Sequence, residues 1–333
     1  MLKNILITGG AGYVGTMLAH RLLSENKNVT VYDTFWYGEA KNLFDSNLDK
    51  INIFKADIRD PEKFKSAIVE KNIDCVIHLA CVSNDPSYEL NPDLGKSINY
   101  DCFENLVKIS KDNGVKRFIY ASSSSVYGVK KEEQVTEELS LEPLTDYSKY
   151  KALCEEILIK YVDKSFTGTV VRPATVCGYS KRLRLDLSVN ILTTHAYFKN
   201  KITIFGGEQY RPNLNILDMI EFYVEVLKYD SDLINGEIFN VGYENLKIKD
   251  IGFLVKKIVK KDFAIETTPS NDNRSYRITS KKIEDKLGFT PKNSVEDAII
   301  SLYQNFENQN VKNPFDSELF YNVQVMKKIY ENN

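Results

Sequence analysis

The sequence predicts an α/β fold with a doubly wound parallel sheet, and three observations support this prediction. Short apolar segments alternate with amphipathic helical segments through the first half of the chain. A glycine-rich turn separates the first apolar segment from the first helical one, and a run of serines follows a later apolar segment. Strands that alternate with helices form a parallel sheet with helices on both faces.

The expected elements follow one another in a regular order. Strands are predicted over residues 3–8, 28–32, 51–55, 74–79, 117–122 and 167–172. Helices are predicted over residues 13–25, from the Asp60-Pro61 cap onward, and over residues 94–113 and 146–161.

The alternation loosens after Pro173, which predicts two domains. We expect residues 1–178 to form the first domain and residues 179–333 to form mainly a smaller mixed α/β domain. Segments near 209–241, including a strand over 237–241, are expected to return to the first domain. Apolar residues at helical spacing within 247–261 predict an amphipathic helix whose lysine-rich face is solvated.

The glycine-rich turn, Thr8 to Gly15, joins the first strand to the first helix. Gly9 permits a tight turn, Gly12 lets the backbone approach a phosphate, and Gly15 allows close packing of the helix. This context is typical of a Rossmann-type domain, which binds a dinucleotide diphosphate at the helix N-terminus. Asp33 ends the second strand, at the spacing of the acidic residue that binds ribose hydroxyls. A carboxylate there favours NAD over NADP, and the alternative for Asp33 is a solvated turn residue.

Tyr147 and Lys151 lie one helical turn apart on a predicted helix. A free tyrosine has a pKa of about 10, so a nearby ammonium group is needed to make its phenolate a useful base. The serine run Ser122 to Ser125 follows a strand and places hydroxyls at the carboxyl edge of the sheet, where ligands of such folds bind. Together, the Tyr147–Lys151 pair and the serine run predict hydride chemistry on an alcohol or a ketone. The alternative is a chance pairing, because tyrosine and lysine are abundant here.

Composition narrows the classes of partner. The 333 residues carry a formal net charge of −2, and the pI is near 6.1, so we expect no nucleic-acid partner. No apolar run is long enough for a bilayer, and the first residues already form the first strand and the glycine-rich turn, so we expect a cytoplasmic protein without membrane association. Five scattered cysteines and three isolated histidines predict no metal site, and His78 is expected to be a hydrogen-bonded core residue.

Over residues 1 to about 305 the chain resembles the extended short-chain dehydrogenase/reductases, particularly the nucleotide-sugar epimerases and dehydratases related to UDP-glucose 4-epimerase. The matching positions are Thr8 to Gly15, Asp57-Ile58, His78-Leu79-Ala80, Asn99, Ser122-Ser123, Tyr147 with Lys151, and Arg172-Pro173. The resemblance implies an NAD-dependent enzyme that acts on a nucleotide-diphosphate sugar. It also implies a homodimer formed through the helices of residues 94–113 and 146–161.

The resemblance assigns roles to individual residues. The catalytic set is Tyr147, Lys151 and Ser123. The NAD-binding set is Gly9, Gly12, Tyr13, Val14, Gly15, Asp33, Asp57, Ile58, Leu79, Ala80, Asn99, Ser122, Tyr147, Lys151 and Pro173. The substrate-binding set is Asn84, Ser87, Ser123, Asn190, Arg211 and Arg274, and one of Lys181, Arg182 and Arg184 is expected to reach the nucleotide. For Arg211 and Arg274 the alternative is an ordinary surface residue.

Departures from the family pattern refine the expected reaction. The dehydratases carry an Asp-Glu pair directly after the catalytic residue, whereas this chain has Ser124 and Ser125 there, which argues against 4,6-dehydration. Cys81 and Cys177 replace a usual alanine and tyrosine, and Pro269 stands where related 4-epimerases often carry a phosphate-binding arginine. We expect a nucleotide-sugar 4-epimerase. The alternatives are a C4 dehydrogenase or ketoreductase, and a non-catalytic NAD-binding regulatory or scaffold protein.

Overall fold

A computed structural model describes residues 2–270 and 275–331. The strands are β1 (Asn4–Thr8), β2 (Asn28–Asp33), β3 (Ile51–Lys55), β4 (Cys75–His78), β5 (Arg117–Ala121), β6 (Thr167–Pro173), β7 (Thr175–Cys177), β8 (Lys201–Phe205), β9 (Tyr210–Asn215), β10 (Glu237–Val241), β11 (Glu244–Lys247) and β12 (Ala264–Thr268).

The α-helices are α1 (Tyr13–Ser24), α2 (Ala40–Phe44), α3 (Pro61–Glu70), α4 (Asp85–Glu89), α5 (Pro92–Lys96), α6 (Phe103–Asp112), α7 (Asp146–Tyr161), α8 (Ser188–Lys199), α9 (Ile216–Val226), α10 (Ser231–Ile234), α11 (Ile248–Ile258), α12 (Lys281–Leu287), α13 (Val295–Glu307) and α14 (Asn322–Glu331). Within residues 2–270 and 275–331, no helix has the length and apolar character needed to cross a bilayer.

The central sheet has seven parallel strands in the order β10-β6-β5-β4-β1-β2-β3. Ile5 pairs with Val29 on one side and with Cys75 on the other, so β1 lies in the middle of the sheet. The strand predicted over residues 237–241 is confirmed as β10, which pairs in parallel with β6. The predicted doubly wound α/β fold is therefore confirmed.

Two smaller sheets lie outside the central one, with strand orders β11-β9-β7 and β12-β8. Helix α9 packs against α1 of the central unit, where Arg21 Nε donates to Glu221 at 2.6 Å. The boundary at residue 178 stays a prediction.

Local sequence explains where the first helices begin and end. Asp60 caps α3 by accepting a hydrogen bond from the Lys63 amide at 3.0 Å, with Pro61 in the first turn, as predicted. The single helix expected over residues 94–113 was wrong in one respect, because a π-helical turn at Ser97–Asp101 separates α5 from α6. This turn holds Asn99, whose side chain bonds both backbone groups of Val82. The wider turn thus ties the helix to the loop after β4.

The carboxyl ends of the parallel strands meet along one edge of the sheet. Thr8 of β1, His78 of β4, Ala121 of β5 and Pro173 of β6 lie there in neighbouring strands. Thr8 Oγ1 and His78 Nδ1 are 2.8 Å apart, and burial lowers the pKa of His78 to about 3. The interpretation of His78 as a hydrogen-bonded core residue is confirmed. A cavity opens at this carboxyl edge of the sheet.

Candidate active site

A cavity of about 810 Å³ lies at the carboxyl edge of the sheet. Its walls include the glycine-rich turn, Asp33, Ser123, Tyr147 and Lys151, so residues from distant parts of the sequence meet in one place. The volume is in the upper part of the range for small-molecule sites.

The glycine-rich turn is shaped by contacts that a side chain would prevent. Gly9 has a φ of +69°, and a Cβ on it would lie 2.7 Å from the amide nitrogen of Ala80. A Cβ on Gly15 would lie 2.4 Å from the carbonyl oxygen of Gly9. The turn therefore folds tightly against the loop after β4 and against the first turn of α1. The N-terminus of α1 lines the cavity. Such a terminus is suited to bind a diphosphate.

Asp33 occupies the end of β2, as the sequence predicts. Its Oδ2 accepts a hydrogen bond from the Ala11 amide at 3.0 Å, and its Oδ1 accepts one from the Phe35 amide at 2.7 Å. Burial raises the pKa of Asp33, while these backbone donors and the charge of Arg182 lower it. The carboxylate thus joins the glycine-rich turn to the loop after β2 and lines the cavity where a ribose hydroxyl could bind.

Tyr147 lies in the first turn of α7 and lines the cavity together with Ser123. Desolvation by the surrounding protein raises the pKa of Tyr147, and the neighbouring Cys81 and Asp85 raise it further. The positive charge of Arg184 and the Ser123 side chain lower it. Sequence reasoning assigned the supporting charge to Lys151 and missed Arg184 as a neighbour of the phenol.

Lys151 is buried, with 3% of its surface exposed. Its Nζ donates to the carbonyl oxygen of Ala121 at 2.6 Å and lies 5.9 Å from the centre of the Tyr147 ring. It also lies 5.0 Å from the centre of the Tyr120 ring. The ammonium group is therefore fixed between the end of β5 and the phenol.

A continuous chain of hydroxyl groups leads away from Ser123. Its Oγ lies 2.9 Å from Ser125 Oγ, which accepts a hydrogen bond from Ser148 at 3.0 Å. Ser148 Oγ lies 3.0 Å from Thr145 Oγ1, and Thr145 donates to Asp85 at 2.6 Å. Sequence reasoning missed this chain. The one available signal was Thr145 directly before the predicted helix, because the side chain of a capping threonine bonds the amide three residues later, here that of Ser148.

Ser122, in the predicted cofactor set, is held by a buried ion pair. Arg172 Nη2 lies 2.6 Å from Glu155 Oε2, and both side chains are 3% exposed. Ser122 donates to the same carboxylate, and Arg172 Nη1 donates to the Tyr127 hydroxyl at 2.7 Å. The pair fixes β6, α7 and the serine run relative to one another.

Most of the predicted cofactor residues line the cavity, namely Gly9, Gly12, Tyr13, Val14, Gly15, Asp33, Asp57, Ile58, Leu79, Ala80, Ser122, Tyr147, Lys151 and Pro173. Asn99 lies behind the wall and supports it through the backbone of Val82, with Oδ1 2.8 Å from the amide nitrogen. The carboxylate of Asp57 is bound by Arg59, whose Nη2 lies 2.6 Å away. These assignments stay predictions.

The predicted substrate residues divide into two groups. Asn84 and Arg211 line the cavity together with Ser123. Asn190 is fully buried, accepts a hydrogen bond from the Gly178 amide at 3.0 Å, and donates to the Arg184 carbonyl oxygen at 3.0 Å.

Ser87 is also fully buried, and its amide donates to Asn84 Oδ1 at 2.9 Å. The structure thus places Asn190 and Ser87 behind the cavity wall. Arg274 lies outside the described residues.

An ion pair that the sequence did not reveal faces the same part of the cavity. Arg184 Nη2 lies 2.7 Å from Asp186 Oδ2, and Asn84 donates to the same carboxylate oxygen. Both charged side chains are largely buried and line the cavity. In the described part of the chain, no group of three metal-ligating side chains comes together.

Residues 5–242 match the model of the NAD dependent epimerase/dehydratase family. The chain belongs to this family. The UDP-glucose 4-epimerase of Lactobacillus helveticus is 27% identical over 320 residues, which cover 89% of this chain and 94% of that protein. UDP-glucuronic acid decarboxylase 1 of Arabidopsis thaliana is 26% identical over 319 residues, which cover 92% of this chain and 70% of that protein.

A solved structure, the UDP-glucuronic acid 4-epimerase of Bacillus cereus in complex with UDP-glucuronic acid and NAD, superposes with a TM-score of 0.81 at 25% identity. The match covers 92% of this chain and 99% of that one. The predicted family and its NAD dependence are confirmed. Because epimerases and a decarboxylase are among these similar proteins, membership of the NAD-dependent epimerase/dehydratase family leaves the reaction open.

The cavity fits the cofactor of the NAD-dependent epimerase/dehydratase family. The crowded glycine-rich turn and the N-terminus of α1 line it, and Asp33 lies at the edge of the same space. These groups suit a diphosphate and a ribose, respectively.

Proposed function

We propose that the chain is a nucleotide-sugar 4-epimerase that transiently oxidises C4 of a nucleotide-diphosphate sugar with bound NAD. One observation carries the proposal. The side chains of Tyr147, Ser123 and Lys151 line the same cavity as the glycine-rich turn and Asp33. An acid–base group and a dinucleotide site therefore face one space that also has room for a sugar.

The chain supplies the proton chemistry. Tyr147 as a phenolate accepts the proton of the C4 hydroxyl, and Ser123 forms a hydrogen bond to the same sugar oxygen. Lys151, fixed by the Ala121 carbonyl oxygen, adds positive charge beside the phenolate. The glycine-rich turn and Asp33 would hold NAD, which would supply the oxidising equivalent as a reversible hydride acceptor. Tyr147 then returns the proton when the ketone is reduced on its other face.

The residues after Ser123 support epimerisation over 4,6-dehydration. The Ser124 hydroxyl lies 3.2 Å from the Tyr276 hydroxyl, and Ser125 belongs to the hydroxyl chain that ends at Asp85. No carboxyl acid and base follow Ser123 directly, so the position used for elimination in dehydratases carries only hydroxyls. The same position in an epimerase requires no carboxylate.

The experiment is an incubation of the purified protein with UDP-, GDP-, dTDP- and CDP-sugars in deuterated water, followed by mass spectrometry and NMR. A 4-epimerase converts one of them without added NAD, and the product carries no deuterium at C4. Accumulation of a free keto-sugar with reduced NAD would indicate the C4 dehydrogenase instead. No conversion of any sugar, with NAD binding intact, would indicate a regulatory or scaffold protein. Tyr147→Phe is the matched inactive control.

The expected assembly and location belong to the same proposal. Three features stay predictions: a homodimer formed through the helices of residues 94–113 and 146–161, a nucleotide-diphosphate sugar as substrate, and a cytoplasmic location. Sedimentation of the purified protein would test the dimer.

A further inference from the structure

Arg182 is a buried cation whose hydrogen-bonding capacity is only partly used. It is 2% exposed, and Nη2 donates to Oδ1 of Asn322 at the start of α14. Within residues 2–270 and 275–331, Nε and Nη1 have no hydrogen-bond partner, and no carboxylate forms an ion pair with this guanidinium. The side chain nevertheless lines the cavity.

A buried guanidinium without an ion-paired carboxylate is costly, because the charge has lost its water. Asp33 and Asp186 attract the Arg182 charge, but neither forms an ion pair with it. Burial lowers the pKa of Arg182 to about 10, and repulsion from Arg184 adds to this effect. At neutral pH the group is still protonated. Packing alone therefore does not satisfy the Arg182 guanidinium, and an anion that enters the cavity would supply the missing hydrogen-bond acceptors and negative charge.

The segment that carries Arg182 is fastened to the first turn of α1. The Tyr13 hydroxyl donates to the Gly178 carbonyl oxygen at 2.6 Å, and Ser180 Oγ donates to the Tyr13 carbonyl oxygen at 2.9 Å. The guanidinium carbon lies 4.1 Å from the centre of the Tyr37 ring, in the loop after β2. Arg182 is thus held beside the helix terminus that suits a diphosphate.

We propose that Arg182 donates Nε and Nη1 to a diphosphate group, that of the dinucleotide bound at the N-terminus of α1. A guanidinium fork matches phosphate oxygens in geometry and charge. Asn322 is a positioning residue, because it accepts from Arg182 and its Nδ2 donates to Ser83 Oγ at 2.9 Å. The C-terminal helix α14 thereby contributes to cofactor binding. The proposal rests on the NAD dependence of the family, whichever sugar reaction the chain performs.

The diphosphate of a sugar nucleotide has the same chemistry and enters the same cavity. Two observations favour the dinucleotide. Arg182 lies on a segment bonded to Tyr13, and its charge acts on Asp33, which is at the predicted ribose site. Both neighbours belong to the glycine-turn side of the cavity.

The test compares Arg182→Met with Arg21→Met, a matched control at the far end of α1, where the guanidinium pairs with Glu25 and Glu221. Bound NAD per chain after purification, its exchange with isotopically labelled NAD, and its dissociation constant are measured. We expect R182M to weaken NAD binding by about a hundredfold or more, because two hydrogen bonds from a charged group are lost. R21M should leave NAD binding unchanged.

Thermal unfolding separates a binding role from a structural one. Without NAD, R182M should melt at or above the wild-type temperature, because a buried uncompensated charge has been removed. At saturating NAD, its increase in melting temperature should be smaller than in wild type. A lower melting temperature without NAD, together with unchanged NAD affinity, would assign Arg182 a structural role and overturn the proposal.

A second pair of measurements distinguishes the two diphosphates. UDP, GDP, dTDP and CDP are titrated into the NAD-loaded R182M variant. Unchanged affinity for these nucleotides, with weakened NAD binding, supports the proposal. Weakened nucleotide binding with normal NAD affinity overturns it in favour of the sugar nucleotide. The second variant, Asn322→Ala, retains the Arg182 side chain but removes its hydrogen bond to Asn322. A severalfold loss of NAD affinity is expected there, whereas no change would contradict the positioning role.

Discussion

The charges around Tyr147 predict two opposite shifts in the pH dependence of the reaction. Burial raises the pKa of Tyr147, Asp85 raises it further, and Arg184 lowers it. Replacing Asp85 by Asn favours the phenolate, whereas replacing Arg184 by Met disfavours it. Because Tyr147 must lose its proton to act as a base, the acid limb of kcat/KM should move to lower pH in D85N and to higher pH in R184M.

Coulomb's law sets the size of each shift. At an effective dielectric constant of about 20, two unit charges separated by about 8 Å interact by about 2 kcal/mol, which corresponds to about 1.5 pKa units. The partner of Arg184 is Asp186, 2.7 Å away, and this carboxylate offsets part of the field of the guanidinium. We therefore expect the limb to move by about one pH unit in each variant, which changes the rate on the acid side about tenfold.

The assay measures the initial rate of epimer formation from the sugar nucleotide that the protein converts, at substrate concentrations below KM and over a range of pH. Asn at position 85 can still accept the hydrogen bond from Thr145, which is 2.6 Å long, so D85N preserves the hydroxyl chain. The variant R184M/D186N removes the whole ion pair and should shift the limb less than R184M. Shifts in the same direction in D85N and R184M, or no shift in either, would refute the assignment of the limb to Tyr147.

Three further variants test other parts of the structure. Tyr147→Phe should retain NAD, measured by bound cofactor per chain, and lose about 10²- to 10⁴-fold in turnover. Glu155→Gln leaves the buried Arg172 without its counter-charge and should lower the free energy of unfolding by about 3–5 kcal/mol in urea titrations, whereas the exposed neighbour Glu156→Gln should not. Gly15→Ala places a Cβ 2.4 Å from the Gly9 carbonyl oxygen, so it should weaken NAD binding and reduce stability by about 1–3 kcal/mol.

The central sheet and its first helices could be predicted because strand patterns and helix caps depend on residues close together in the sequence. The apolar strands β1 to β6 and the cap at Asp60 follow from short segments, and β10 was recognised from residues 237–241. The π-helical turn at Ser97–Asp101 was not predictable in this way. It serves a contact between Asn99 and Val82, seventeen residues apart, which hydrophobic periodicity does not encode.

The sequence predicted those parts of the site that belong to a motif with a recognisable position between a strand and a helix. The glycine-rich turn and the Tyr147 helix meet at one cavity, as their positions after parallel strands imply. The sequence alone could not distinguish the role of Arg182 from that of Arg184, because each role depends on which side chains pack against the arginine in the folded protein. Asp186 pairs with Arg184, whereas Asn322, far along the chain, binds Arg182 and leaves two of its nitrogens for a ligand.

The central claim is that one hydrogen leaves C4 of the sugar and returns to the same carbon with Tyr147 as the acid–base group. The most direct measurement uses the nucleotide sugar labelled with deuterium at C4, in ordinary water, with the isotope followed by NMR and mass spectrometry. We predict that the epimer retains the deuterium at C4 and that Tyr147→Phe forms almost no product. Loss of the deuterium to water during epimerisation, or full turnover in Tyr147→Phe, would contradict the claim.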